Sequence, residues 1–205
     1  MTSVALFGAG GKMGCRITDN LKDDSSFCML YVETGQVGVE RLRQRGLSPV
    51  PYDQAVAHSD VVILAVPDSL IGTIAATQVV PYARPGTMVI CLDPAAPFAG
   101  VLPQRHDITY FVTHPCHPPV FNEETDPEAR RDFFGGVKAR QNIVCALHRG
   151  PEADYARGEA IARRMFAPVM KAHRLTVKQM ALLEPALSET VAATCLTVVR
   201  EAMDE

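Results

Sequence analysis

Residues 3–21 read SVALFGAGGKMGCRITDNL: a short apolar run at 4–7, glycines at 8, 10, 11 and 14, then a helical pattern with Met13, Ile17 and Leu21 on one face. The order is strand, glycine turn, helix. The glycines do not fall into one GxGxxG register, because counting from Gly8 puts Met13 where the last glycine belongs, and counting from the next residue begins on Ala9. The workable spacing is Gly8-x-x-Gly11-x-x-Gly14. Small residues there permit a tight turn, the approach of a pyrophosphate to backbone N–H groups, and close packing of helix on strand. The whole segment of Gly8, Ala9, Gly10, Gly11, Lys12, Met13 and Gly14 is therefore a candidate dinucleotide cradle. Glycine turns between strand and helix also occur without ligands, so the surrounding pattern has to decide.

That pattern continues with FCMLYVET at 27–34, a second strand ending on Glu33 about 20 residues after the turn, where a carboxylate accepts hydrogen bonds from an adenosine ribose diol. A carboxylate repels a ribose 2′-phosphate, so the sequence favours NAD over NADP. Against this stand Arg41, Arg43 and Arg45 on the following helix, which offer alternative phosphate contacts. Residues 59–98, SDVVILAVPDSLIGTIAATQVVPYARPGTMVICLDPAAPF, add apolar strands at 61–66 and 88–92 separated by a helical segment. Continuous apolar runs suit a parallel sheet covered on both faces, whose carboxyl edge carries the ligand crevice. Val66, Pro67 and Asp68 follow one of these strands and Asp93 the other, so they too are expected to border the cofactor. ITYFVT at 108–113 and NIVCALH at 142–148 read as further strands, and 152–166 as a helix. After a short segment at 167–173, a long helical pattern runs from Thr176 onward. The expected architecture is α/β: a doubly wound, mostly parallel sheet over 1–168 and a helical substrate or dimerisation segment over 169–205.

Composition narrows the class. A net charge of -3 without a dense lysine and arginine run argues against nucleic acid as a partner and for a small-molecule substrate. The six cysteines form no CxxC pair, and Met1 leads straight into a strand, which predicts a cytoplasmic protein with reduced thiols. No uncharged apolar stretch approaches the roughly 20 residues of a membrane span, so none is expected.

VTHPCHPPVF at 112–121 places two histidines among three prolines directly after a strand. The prolines remove backbone donors and disfavour helix, so the stretch is extended and stiff rather than a helical histidine pair. One reading is a rigid strand exit with polar histidines. The other makes His114, at a strand tip bordering the nicotinamide, a proton relay or metal ligand. Cys116 has no partner cysteine for a structural zinc site, and His117 is the weaker histidine. In TVKQMALLEPALSET at 176–190, Met180, Glu184 and Ser188 recur every four residues on one helical face, while Lys178 and Glu189 share another. Pro185 deprives the Ala181 carbonyl of its partner, so a kink is expected beside Glu184. Glu184 is the candidate companion of His114; the bland alternative is that Glu184 and Glu189 are simply solvated.

FGAGGKMG, DVVILAVPDSLI and the THP after a late strand resemble the 6-phosphogluconate and β-hydroxyacid dehydrogenase superfamily, including its prephenate-dehydrogenase-like relatives. HPCHPPVFNEE with VKQMALLEPALSETVAA is most similar to the D-apionate oxidoisomerase family. The resemblance implies an N-terminal Rossmann domain, an all-helical C-terminal domain that often interlocks with a second subunit, and NAD-dependent oxidation of D-apionate coupled to rearrangement to 3-oxo-isoapionate. It also implies a lysine or histidine near the oxidised hydroxyl, for which Lys178 is a candidate. Against the superfamily pattern, helices of the second domain are expected beyond Glu205. Charge developing on adjacent oxygens during such a rearrangement calls for a divalent metal held in part by His114 and Glu184, with zinc or manganese suiting a nitrogen-and-oxygen donor pair. Leu182, Leu183, Leu187, Val191, Leu196 and Val199 predict a symmetric homodimer. The alternatives are a simple β-hydroxyacid or prephenate-like dehydrogenase and a non-catalytic dinucleotide-binding regulator.

Overall fold

The computed structural model describes residues 1–119 and 123–205. Seven strands form one sheet: β1 Thr2–Phe7, β2 Phe27–Val32, β3 Val61–Leu64, β4 Met88–Cys91, β5 Thr109–Pro115, β6 Gln141–Arg149 and β7 Val169–Arg174, in the order β2-β1-β3-β4-β5-β6-β7. The first five run parallel, β6 is antiparallel to β5, and β7 is parallel to β6. From β1 the chain passes to β2 on one side and β3 on the other. This reversal opens a crevice at the carboxyl edge, where such sheets bind ligands.

Side-chain alternation along the strands splits the apolar residues between two cores. Ala5, Phe7, Val62, Leu64, Val89, Cys91, Tyr110 and Val112 face one, while Val4, Leu6, Val61, Ile63, Met88, Ile90 and Phe111 face the other. Covering the second core are α1 Lys12–Leu21, α2 Gln36–Arg43 and α7 Asp154–Met165, through Ile17, Leu21, Leu42, Ile161 and Met165. The first is covered by α3 Tyr52–Ala57, α4 Asp68–Ile74 with its π-helical continuation Ala75–Val79, α5 Ala95–Phe98 and α8 Val177–Glu184. A short α6, Pro127–Arg131, lies between β5 and β6, and α9 spans Ala193–Asp204. Burial on both faces is why β1, β3 and β4 read as unbroken apolar runs.

Two sequence expectations change here. The segment at 167–173 is no mere connector: Val169–Arg174 pairs with β6 as β7, so the helical part starts at Val177 instead of 169. As an outer strand with one neighbour and an exposed Lys171, it lacks the apolar signature of the inner strands. The strand expected to stop at 113 continues to Pro115, with His114 opposite Val144 and Pro115 opposite Ile143. Proline suits extended backbone, and its missing N–H is harmless at the strand's last residue.

Helix α8 opens with a reciprocal cap in which the Gln179 N–H donates to Thr176 Oγ1 and the Thr176 N–H donates to Gln179 Oε1. Val177 and Met180 anchor it in the core. At Pro185 it passes into a π-helical stretch, Pro185–Ala192, the local response to the donor that proline lacks. By length and composition alone the run Val177–Asp204 is long and apolar enough to cross a membrane, contrary to the expectation drawn from uncharged stretches. No residue of α9 is buried.

Candidate active site

The tips of β1 to β5 meet at one edge. The turn after β1 is held by the Gly8 N–H donating to Val32 O at 3.0 Å and the Gly11 N–H to Gly8 O at 2.9 Å, with Gly8 at φ +67. Gly11 caps α1 without a side chain, so no capping side chain occupies the first amides of that helix, as at anion-binding helix starts. A Cβ on Gly14 would lie 2.0 Å from Gly8 O, and one on Gly10 would lie 2.2 Å from Gly38 Cα. Only glycine lets α1 and α2 approach the turn this closely. Val66 packs over Gly8, and Pro67 and Asp68 begin α4 at the same edge.

Glu33 takes part in building the turn. Its Oε2 accepts from the Gly10 N–H at 2.9 Å and its Oε1 from the Thr34 and Gly35 N–H groups at 2.9 Å each. The carboxylate is thereby oriented at the end of β2, where an adenosine ribose diol would reach it.

At the next pair of tips the register sets Cys91 opposite Val112, which brings Asp93 and His114 side by side just beyond. His114 Nδ1 lies 2.8 Å from Leu92 O. A carbonyl only accepts, so Nδ1 donates to it and Nε2 is directed elsewhere. Nε2 faces Glu184 Oε1 at 3.5 Å. Asp93 Oδ1 accepts from the Ala95 N–H at 2.6 Å, and one ligand atom each from Asp93, His114 and Glu184 lies within 4.8 Å of the others. Partial desolvation and the nearby Asp93 charge push the Asp68 carboxyl above its ordinary range, with His114 acting in the opposite direction.

The structure thus brings His114 and Glu184 together and adds Asp93, which the sequence had placed with the cofactor residues. A shared signal existed: both Asp93-Pro94 and His114-Pro115 end apolar strands on an ionisable residue followed by proline. Lys178 does not join them. It is exposed in the first turn of α8, six residues and roughly 9 Å along the axis from Glu184, on a different side of the helix. His117 is also separate, packing edge-on against Phe134 at 5.8 Å, while Lys12 Nζ lies 4.3 Å over the same ring. Cys116 is tied to the sheet by its N–H donating to Asn142 O at 2.9 Å, and burial pushes its thiol up. Residues 120–122 of the HPCHPPVFNEE segment and the side chain of Glu189 lie outside the described residues.

Comparison with known proteins matches this arrangement to two family models: the acetohydroxy acid isomeroreductase NADPH-binding domain over residues 2–115, and the phosphogluconate dehydrogenase (decarboxylating) C-terminal domain over 122–205. The chain is 59% identical over 206 residues to a D-apionate oxidoisomerase of Rhizobium rhizogenes, covering 100% of this chain and 74% of that protein. It is 44% identical to one of Blautia hydrogenotrophica, covering 98% and 70%. Among solved structures, a semialdehyde dehydrogenase NAD-binding protein from Cupriavidus necator, in complex with calcium and NAD, superposes with a TM-score of 0.94 at 57% identity, covering 100% of this chain and 74% of that one.

Proposed function

The chain belongs to the D-apionate oxidoisomerase family, and from that premise we propose that it oxidises D-apionate with NAD and rearranges the product to 3-oxo-isoapionate, with a divalent cation held by Asp93, His114 and Glu184. It is an NAD-dependent oxidoreductase with the Rossmann fold of the 6-phosphogluconate dehydrogenase-like superfamily.

The observation that carries the cation is the convergence of one imidazole nitrogen and two carboxylates within 4.8 Å at the β4 and β5 tips. The donor set fits: the 3.5 Å between His114 Nε2 and Glu184 Oε1 is close to the roughly 3.4 Å separating two tetrahedral ligands at about 2.1 Å from an ion. The Leu92 carbonyl fixes the tautomer that leaves Nε2 free to ligate, a typical supporting contact of metal-bound histidine. Calcium in the Cupriavidus necator structure supports a cation in this family, while the mixed nitrogen and oxygen donors favour zinc or manganese.

Bound NAD supplies the hydride acceptor and the cation the Lewis acidity for charge on adjacent substrate oxygens. The chain's own part is positioning. The amides at the start of α1 receive the pyrophosphate, Glu33 the adenosine ribose, and the crevice above β4 and β5 the reacting end. A second reading, favoured by the His114–Glu184 pair taken alone, makes His114 Nε2 the proton acceptor, with Glu184 stabilising the imidazolium.

Purified protein mixed with NAD and a panel of sugar acids is expected to produce NADH with D-apionate. Absence of NADH with every acid would defeat the reading. We also propose a symmetric homodimer, supported by the exposure of Leu182, Leu183, Leu187, Val191, Leu196 and Val199 along one helical run. Light scattering at micromolar concentration is expected to return twice the mass of one chain, and a monomer mass would refute it.

A further inference from the structure

Two opposite charges sit on a single residue of the glycine turn. The Gly10 N–H donates to Glu33 Oε2 at 2.9 Å, and Arg41 Nη1 donates to the Gly10 carbonyl at 3.0 Å. Although both hold Gly10, Arg41 forms no ion pair with Glu33 or any other carboxylate among the described residues. The two neighbouring arginines are engaged elsewhere. Arg45 binds Asp19 through two nitrogens, at 2.8 and 2.9 Å, and those hydrogen bonds raise its pKa. Arg43 lies 3.8 Å from Glu40 on the exposed side of α2. Of the three cations after β2, Arg41 alone faces the turn.

From this geometry we infer that Arg41 is a second cofactor-specificity residue, a guanidinium docked beside the adenosine ribose position that takes the 2′-phosphate of NADP once the Glu33 carboxylate is removed. The inference rests on the dinucleotide reading of the glycine turn. Glu33 and Arg41 meet the same residue, Gly10, one at its N–H and the other at its carbonyl, so a phosphate on the ribose hydroxyl that Glu33 addresses would lie at the part of the turn that Arg41 also touches. In the unaltered protein the carboxylate repels that phosphate and wins, because it is fixed by three backbone N–H groups. Without it, the Arg41 guanidinium, which has no carboxylate partner among the described residues and already reaches Gly10, remains at the turn, and its planar fork suits a phosphate. Discrimination between the two cofactors is therefore a balance of two side chains.

The test measures Kd for NAD and NADP by calorimetry, with no catalytic step involved, in the unaltered protein and in Glu33→Ala, Glu33→Ala/Arg41→Ala, Glu33→Ala/Arg41→Lys and Glu33→Ala/Arg43→Ala. Glu33→Ala is expected to shift the NADP-to-NAD affinity ratio toward NADP by about 10- to 100-fold, the range of a hydrogen bond to a charged group. Adding Arg41→Ala is expected to erase that shift, Arg41→Lys to retain part of it, and Arg43→Ala to leave it intact. NAD binding by the double variants reports that the turn still folds. The inference is overturned if Glu33→Ala/Arg41→Ala keeps the full shift, or if Glu33→Ala produces none. Failure of the unaltered protein to bind either dinucleotide would instead overturn the reading of the glycine turn itself.

Discussion

Removal of divalent metal by a chelator is expected to lower turnover of D-apionate by about a thousandfold while NAD binding persists, several kcal/mol of lost stabilisation for charge on adjacent oxygens. Asp93, His114 and Glu184 are donated by three separate elements, the tips of β4 and β5 and the end of α8, and converge within 4.8 Å. Glu184→Gln keeps the shape of the side chain and removes its charge, so it is expected to weaken the metal and lower kcat to a similar extent, with Asp93→Asn following it. Metal content measured in each variant separates loss of the ion from loss of the fold. Restoring zinc, manganese, magnesium and calcium one at a time to the stripped enzyme identifies the functional ion. Full activity in the metal-free protein, with His114→Ala still transferring hydride, would eliminate the cation and leave His114 as an acid–base residue at most.

Gly14→Ala is expected to weaken NAD binding by about a hundredfold or more, because the added Cβ would stand 2.0 Å from Gly8 O and 2.7 Å from Ala9. Both neighbours are backbone and cannot rotate away. Helix α1 would have to withdraw from the turn, carrying with it the amides that face the pyrophosphate. Overpacking of this kind typically costs about 1–3 kcal/mol, so a fall in Tm should accompany the loss of affinity. Calorimetric titration with NAD and a thermal melt check the two effects. Wild-type affinity in Gly14→Ala would show that the helix start is not the pyrophosphate site.

Much of this was legible along the chain. The strand, glycine turn and helix at 3–21 lie within one short window, and their constraints are local: a turn without room for Cβ, an apolar strand, a helical face. His114 and Glu184 were legible as separate candidates because each breaks an apolar pattern beside a proline. Less legible was Asp93, whose position after β4 fits a cofactor contact equally well until β5 is laid beside it. Lys178 was chosen on chemical type alone, and type says nothing about which side of α8 meets the sheet. The segment at 169–174 was obscure because an outer strand needs only one apolar side.

From sequence alone came the alternation of apolar strands and helices, the dinucleotide turn, the acidic end of β2 and a histidine at a late strand tip. All follow from short-range rules of backbone sterics and side-chain periodicity. The tertiary structure decided what lies next to what. The parallel register of β4 and β5 places Asp93 beside His114, and the docking of Val177 and Met180 in the core carries Glu184 to the same edge from some 70 residues further along the chain. The return of α2 against the turn sets Arg41 on Gly10. Such pairings depend on sheet order and on which helix face is buried, both chosen by the free energy of packing the whole domain, and no local window contains that information.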